Sequence, residues 1–203
     1  LNLLNSLNLC FLYLDMKKLL LLLLLLLFIP FVCLSQNDFR KMNWGESPKT
    51  LIERNSEISF QKESEGDITM FTHKENVGGI EATVVYYFAI DKFFTGLYLF
   101  AHDSYKKDYT DRLKDFNSVS VRLNKKYKMT REDVWINDSF KNNPNNLGFA
   151  LRMSHVSLIE KGTNDVTVIE HSLEKSEGEL IHKLFYTSAD MMKKMQESID
   201  GDF

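Results

Sequence analysis

His171 and His182 lie in two strand-like segments, Asp165 to Glu174 and Leu180 to Thr187, separated by Lys175-Ser176-Glu177-Gly178. Folded as a hairpin with Glu174 opposite Glu179, the segments place His171 directly opposite His182, Ile169 opposite Leu184 and Leu173 opposite Leu180. The resulting face is mostly apolar. That agreement selects the register, because a slip of one residue would turn the whole set to the other side. Opposed imidazoles can ligate a metal ion, and they also titrate close to neutral pH. His171 and His182 are therefore the candidate metal ligands. Zinc sites want three or four ligands, however, and the neighbouring Glu170 points to the opposite face. The plainer alternative is a pair of core-edge histidines satisfied by hydrogen bonds.

Other reactive groups carry weaker patterns. Asp108, Asp111 and Asp115 share a helical face with Lys107, Arg112 and Lys114, the make-up of a solvated surface rather than a carboxylate site. His73, His102 and His155 stand alone in strand segments and read as structural. The chain has no nucleophile elbow, no Ser-x-x-Lys, no His-Glu-x-x-His and no phosphate-cradling glycine loop. These absences lean against an enzyme, and no cofactor is expected, although a carboxylate pair assembled in space would leave no linear trace. Two surfaces suggest binding instead. Met191, Met192 and Met195 give the last helix a soft apolar side suited to adaptable contacts, with docking on the domain's own sheet as the alternative. The aromatic run Tyr86 to Phe100 could line a groove for sugar or peptide, or simply pack in the core.

These residues need elements to position them. Ser47-Pro48 caps and opens a short helix over about 48 to 55. Ile58 to Lys62, Asp67 to Lys74, Ile80 to Ile90 and Phe94 to His102 form a meander, with the 80–90 strand apolar on both faces and hence central. Tyr105, Tyr109, Leu113, Phe116, Ser120, Leu123 and Tyr127 make one continuous helical stripe, with Asp108–Arg112 and Lys107–Asp111 pairs on its wet side. Strands then follow at Leu147 to Ile159, Asp165 to Glu174 and Leu180 to Thr187, and Ser188 caps a last helix over 189–199. The expected fold is α+β: a mostly antiparallel sheet carrying two or three helices, in the order α-βββ(β)-α-βββ-α.

The amino-terminal residues concern location. Met16 to Ser35 runs from Lys17-Lys18 through nine consecutive leucines to Cys33-Leu34-Ser35, the order of a secretory signal peptide cleaved between Ser35 and Gln36. An uncleaved anchor is the alternative. Residues 1–15 read as translation upstream of the true start, leaving 36–203 as a single domain. Both cysteines, Cys10 and Cys33, precede the cut, so the mature domain has no disulfide, thiol nucleophile or cysteine-ligated zinc. Removing Lys17, Lys18 and Asp15 leaves 23 basic residues against 27 acidic ones, well mixed along the chain. Nucleic acid is therefore not an expected partner, and no stable membrane span is expected after cleavage.

Phe39-Arg40 followed by Trp44-Gly45-x-Ser47 resembles the opening of uncharacterised exported bacterial proteins with an F-R-x3-W-G-x-S motif. The resemblance implies an exported α+β module and carries no activity. Together these readings point to a periplasmic or secreted, non-enzymatic binding or interaction module, with an envelope protein as a candidate partner. A carboxylate- or metal-dependent hydrolase and an inhibitor-like domain are the alternatives.

Overall fold

The computed structural model describes residues 38–100, 109–141 and 146–201. The leader, the Ser35–Gln36 cleavage point, residues 1–15, His102 and Asp108 lie outside the described residues.

Helix α1, Pro48–Arg54, starts as its sequence dictates: Ser47 Oγ accepts the Thr50 N–H, and proline occupies the first turn. Four strands follow, β1 (Gln61–Glu65), β2 (Ile68–Val77), β3 (Ile80–Ala89) and β4 (Lys92–Phe100). Helix α2 spans Tyr109–Asn124, and two short strands, β5 (Thr130–Arg131) and β6 (Val134–Trp135), come next. Helix α3 (Leu147–Arg152), strands β7 (Val156–Thr163), β8 (Thr167–Ser176) and β9 (Glu179–Ser188), and helix α4 (Ala189–Gly201) complete the described chain.

Every strand pairing is antiparallel, and the strand order is β1-β2-β3-β4-β9-β8-β7-β5, with β6 also on β7. Two meanders thus meet at β4 and β9, giving the expected α+β class with a large antiparallel sheet. The described residues hold four α-helices rather than two or three. The extra one, α3, replaces the first part of the strand expected over Leu147 to Ile159. Ala150 and Leu151 are both fully buried there, and Ser154, with φ of 60°, turns the chain sharply into β7. The first strand is displaced as well: β1 begins at Gln61, and its five residues are all exposed. Its charged side chains suit the edge of a sheet. No helix among the described residues is long and apolar enough to cross a membrane.

One face of the sheet carries three joined clusters. Leu51 of α1, with Phe39 and Met42, packs on Phe71, Val84, Tyr86 and Phe88. Val119 and Leu123 of α2 cover Ile80, Ala82, Phe100, Ile169 and Leu184. Phe116 of α2 joins Ala150 and Leu151 of α3 over Leu158, Leu173 and Leu180. Gly96 allows the first contact, since a Cβ there would stand 2.4 Å from the Phe39 ring. Arg112, expected on the wet side of α2, is instead buried and donates to the Leu180 carbonyl at 3.0 Å. It ties the helix to the sheet.

The β8–β9 hairpin has a different register from the one expected. Glu174 pairs with Ile181, His171 with Leu184 and Leu173 with His182, so the two histidines are diagonal neighbours rather than directly opposed. The turn is the cause. Glu177 and Gly178 both have positive φ, and Ser176 pairs with Glu179, which closes a two-residue hairpin turn instead of a four-residue loop. The shift amounts to two residues, so the inward face keeps its membership.

Candidate functional site

Inward positions alternate along a strand, and on β7 they read Val156, Leu158 and Glu160, all buried. Glu160 pairs across the ladder with His171 of β8, whose ring in turn reaches His182 of β9. From α2 the hydroxyl of Ser120 donates to Glu160 Oε2 at 2.6 Å. His171 Nδ1 lies 2.9 Å from the same oxygen, and His171 Nε2 lies 2.8 Å from His182 Nε2. A carboxylate only accepts, so His171 donates through Nδ1. Its Nε2 then accepts in the neutral ring, and His182 donates through its own Nε2.

Both histidines are fully buried. Phe116 stacks on His171 with ring centres 4.1 Å apart, and Phe100 lies 4.3 Å from His182. Burial alone would raise the pKa of Glu160, but hydrogen bonds from His171 and Ser120 hold it below the usual carboxylate range. Burial also pushes His171 below the ordinary histidine value, against the pull of Glu160. The chain therefore rests as one carboxylate and a neutral His171.

This geometry bears on the metal reading. Two imidazoles on one tetrahedral zinc, at bond lengths of about 2.0–2.1 Å, would hold their ligating nitrogens about 3.3 Å apart. The observed 2.8 Å is a hydrogen bond, and both nitrogens of His171 are engaged. Among the described residues, no group of three or more His, Cys, Asp or Glu is placed to hold a metal ion.

A second histidine–glutamate pair occupies the same face of the sheet near its other edge. His73 Nε2 lies 3.1 Å from Glu75 Oε2, which also accepts from Arg40 in an ion pair. Hydrogen bonds from Arg40 and His73 overcome burial and lower the Glu75 pKa. Here the surroundings are open. A cleft of about 800 Å³ is lined by Arg40, Lys41, Asn55, His73, Glu75 and Tyr98, among others. The Arg40 guanidinium carbon lies 5.9 Å from the centre of the Tyr98 ring. His73 leans edge-on against Phe60, at 5.2 Å, and its Nδ1 is buried without a hydrogen-bond partner among the described residues. His73 reads in the sequence as a lone structural histidine, Arg40 only as part of the opening motif, and Glu75 carries no pattern of its own. The one signal was the alternation Phe71, His73, Glu75, which sets two polar groups on an inward face.

The remaining expected residues are dispersed. His155 stacks on Phe140 at 5.0 Å, and Asp111 pairs with Lys114 at 3.0 Å on the surface of α2. Met191 lines a groove of about 420 Å³ with Trp44, Phe93, Phe94 and Val166, while Met192 is exposed. The side chain of Met195 lies outside the described residues. Of the aromatic run, Tyr86, Phe88, Phe93 and Phe100 are core, and Tyr98 reaches the cleft. Comparison with known families, with curated proteins and with solved structures finds no match for this chain.

Proposed function

We propose that this chain is an exported, non-catalytic binding module that takes a small polar ligand in the cleft beside Arg40 and Tyr98. The single observation that carries this reading is the make-up of that cleft: charged and hydrogen-bonding groups converge around a half-buried aromatic ring, a lining that offers a polar guest both donors and acceptors. Export is read from the leader at residues 16–35 and from the F-R-x3-W-G-x-S opening. The state of the acid–base groups supports binding over hydrolysis. Glu75 is tied to Arg40, Glu57 is held by Lys41 at 3.1 Å, and the pKa values of both are lowered, so neither is poised to donate a proton near neutral pH. His171 and His182 are sealed from any substrate. The Met191 groove offers a second surface, suited to an envelope protein.

The test is an amide-resolved NMR titration of the protein recovered from cells expressing the full chain, using short oligosaccharides and tripeptides as probes. Shifts should concentrate at Arg40, Asn55, His73 and Tyr98, and the probe should be recovered intact. Cleavage of the probe, or shifts confined to other surfaces, would refute the reading.

A further inference from the structure

The cleft's cations are arranged unlike a random solvated patch. Phe39 and Met42 exchange backbone hydrogen bonds of 3.0 and 2.9 Å and are both buried, so they clamp a tight turn whose tip is Arg40-Lys41. Arg40 takes a φ of 56° there, a left-handed conformation that glycine or asparagine would adopt more readily. Local conformation alone would not select arginine at this position; its side chain gives the selection a reason. Arg40 engages Glu75 and the Tyr98 hydroxyl, and the rest of its five N–H donors form a planar fork matched to a carboxylate.

The rest of the lining favours the same kind of guest. Lys41 is held by Glu57 at 3.1 Å and by the Arg54 carbonyl at 3.2 Å, whereas Lys74 has no ion pair among the described residues. Two cations, Arg40 and Lys41, thus face two carboxylates, Glu57 and Glu75, both already engaged, while Lys74 follows His73 along β2 and projects from the opposite face. An added amine would meet occupied acids, and an added carboxylate would meet spare donors. The half-buried Tyr98 ring and the Ser59 hydroxyl can face the body of a hydroxylated or amide-bearing guest.

We propose that the cleft recognises its ligand through a single carboxylate, gripped by Arg40, with Glu75 acting as the internal carboxylate that holds Arg40 in place until the ligand arrives. The proposal rests on the cleft-binding reading above and narrows it to a chemical class. A uronic-acid sugar and a free peptide C-terminus both present that group, and the arms of the test separate them.

Isothermal titration should compare galacturonate, as its methyl glycoside, with the methyl ester of the same sugar, and trialanine with its C-terminal amide, on protein recovered from cells expressing the full chain. At least one free carboxylate should bind about tenfold more tightly than its neutral counterpart. Arg40→Gln should erase that preference, and Glu75→Gln, which releases Arg40 from its internal partner, should strengthen it severalfold. If charged and neutral probes bind the cleft within twofold of each other, the carboxylate proposal is overturned while the cleft reading stands. Persistence of the preference in Arg40→Gln, or its weakening in Glu75→Gln, would overturn it too. If no probe binds at all, both fall together.

Discussion

The same face of one sheet carries two histidine–glutamate pairs of nearly equal length, 2.9 Å for His171–Glu160 and 3.1 Å for His73–Glu75. They differ in what lies above them. The long helix α2 lays Phe116 flat on His171 and delivers the Ser120 hydroxyl to Glu160, closing the first pair off. The second lies beside a turn and the end of a short helix, so the Glu75 side chain remains 35% exposed and an arginine reaches it from the rim. A buried carboxylate must have all its partners built in, because water cannot supply them. A carboxylate in a cleft can exchange partners. One pair is therefore enclosed with its partners fixed, and the other is open to exchange.

The largest expected consequence concerns the carboxylates themselves. Replacing Glu160 with alanine leaves the Ser120 hydroxyl and His171 Nδ1 without their acceptor inside the core, and should cost about 3 kcal/mol of stability. The same change at Glu75 removes a part-exposed ion pair from Arg40 but also the acceptor of the buried His73 Nε2, and should cost less, about 1–2 kcal/mol. Parallel urea denaturation of the two variants checks this. Equal losses would mean that the difference in cover has no energetic counterpart.

Acid should separate the pairs next. His171 is held below the ordinary histidine value by burial, so between that lowered value and about 6.5 the unfolded chain binds more protons than the folded one. Stability then rises with pH across this window and is lost on acidification. Glu160, also lowered, contributes stability above the ordinary glutamate range that is lost as pH falls through its own folded value, so the two effects have the same sign. A single titrating group can contribute a slope of at most about 1.4 kcal/mol per pH unit. The charged neighbour on this side is Arg131, whose guanidinium carbon lies 5.7 Å from the Phe116 ring and which disfavours a further proton on His171. Denaturation curves between pH 7.5 and 5 should show this loss, and His171→Gln should flatten it between pH 6.5 and 5. A wild-type curve that is flat over that interval would mean that the buried ring is not the acid-sensitive element.

Much of the sealed region was legible because strand alternation is a local code. The period of two put Ile169, His171, Leu173, His182 and Leu184 on one face, and a register error of two residues left that face intact. The error came from turn chemistry: Glu177 occupies a left-handed conformation that its residue type does not advertise. Glu160 escaped notice because the strand expected over Leu147 to Ile159 stopped one residue before it, while α3 took the first part of that segment. The cleft was hardly legible at all. Its walls come from the 39–42 turn, the residues after α1, β2 and β4, and no spacing along the chain reports that they converge. The structure also reversed the reading of Arg112, whose type suggested solvent and whose position in the turn of α2 facing Leu180 brought it inward.

The smallest expected stability change tests whether Arg40 belongs to the site or to the scaffold. Arg40→Gly relieves a left-handed residue, which favours the folded state by about 1 kcal/mol. Against this stand the loss of a part-exposed ion pair, under about 1 kcal/mol, and the greater freedom of glycine in the unfolded chain, about 0.4–1 kcal/mol. These contributions nearly cancel, so the midpoint of urea denaturation should stay within the equivalent of about 1 kcal/mol of wild type. The preference for carboxylates should nonetheless vanish. A substantial loss of stability would place Arg40 with Glu160 among groups whose partners are structurally required. A near-neutral change with binding lost would assign the strained turn to recognition.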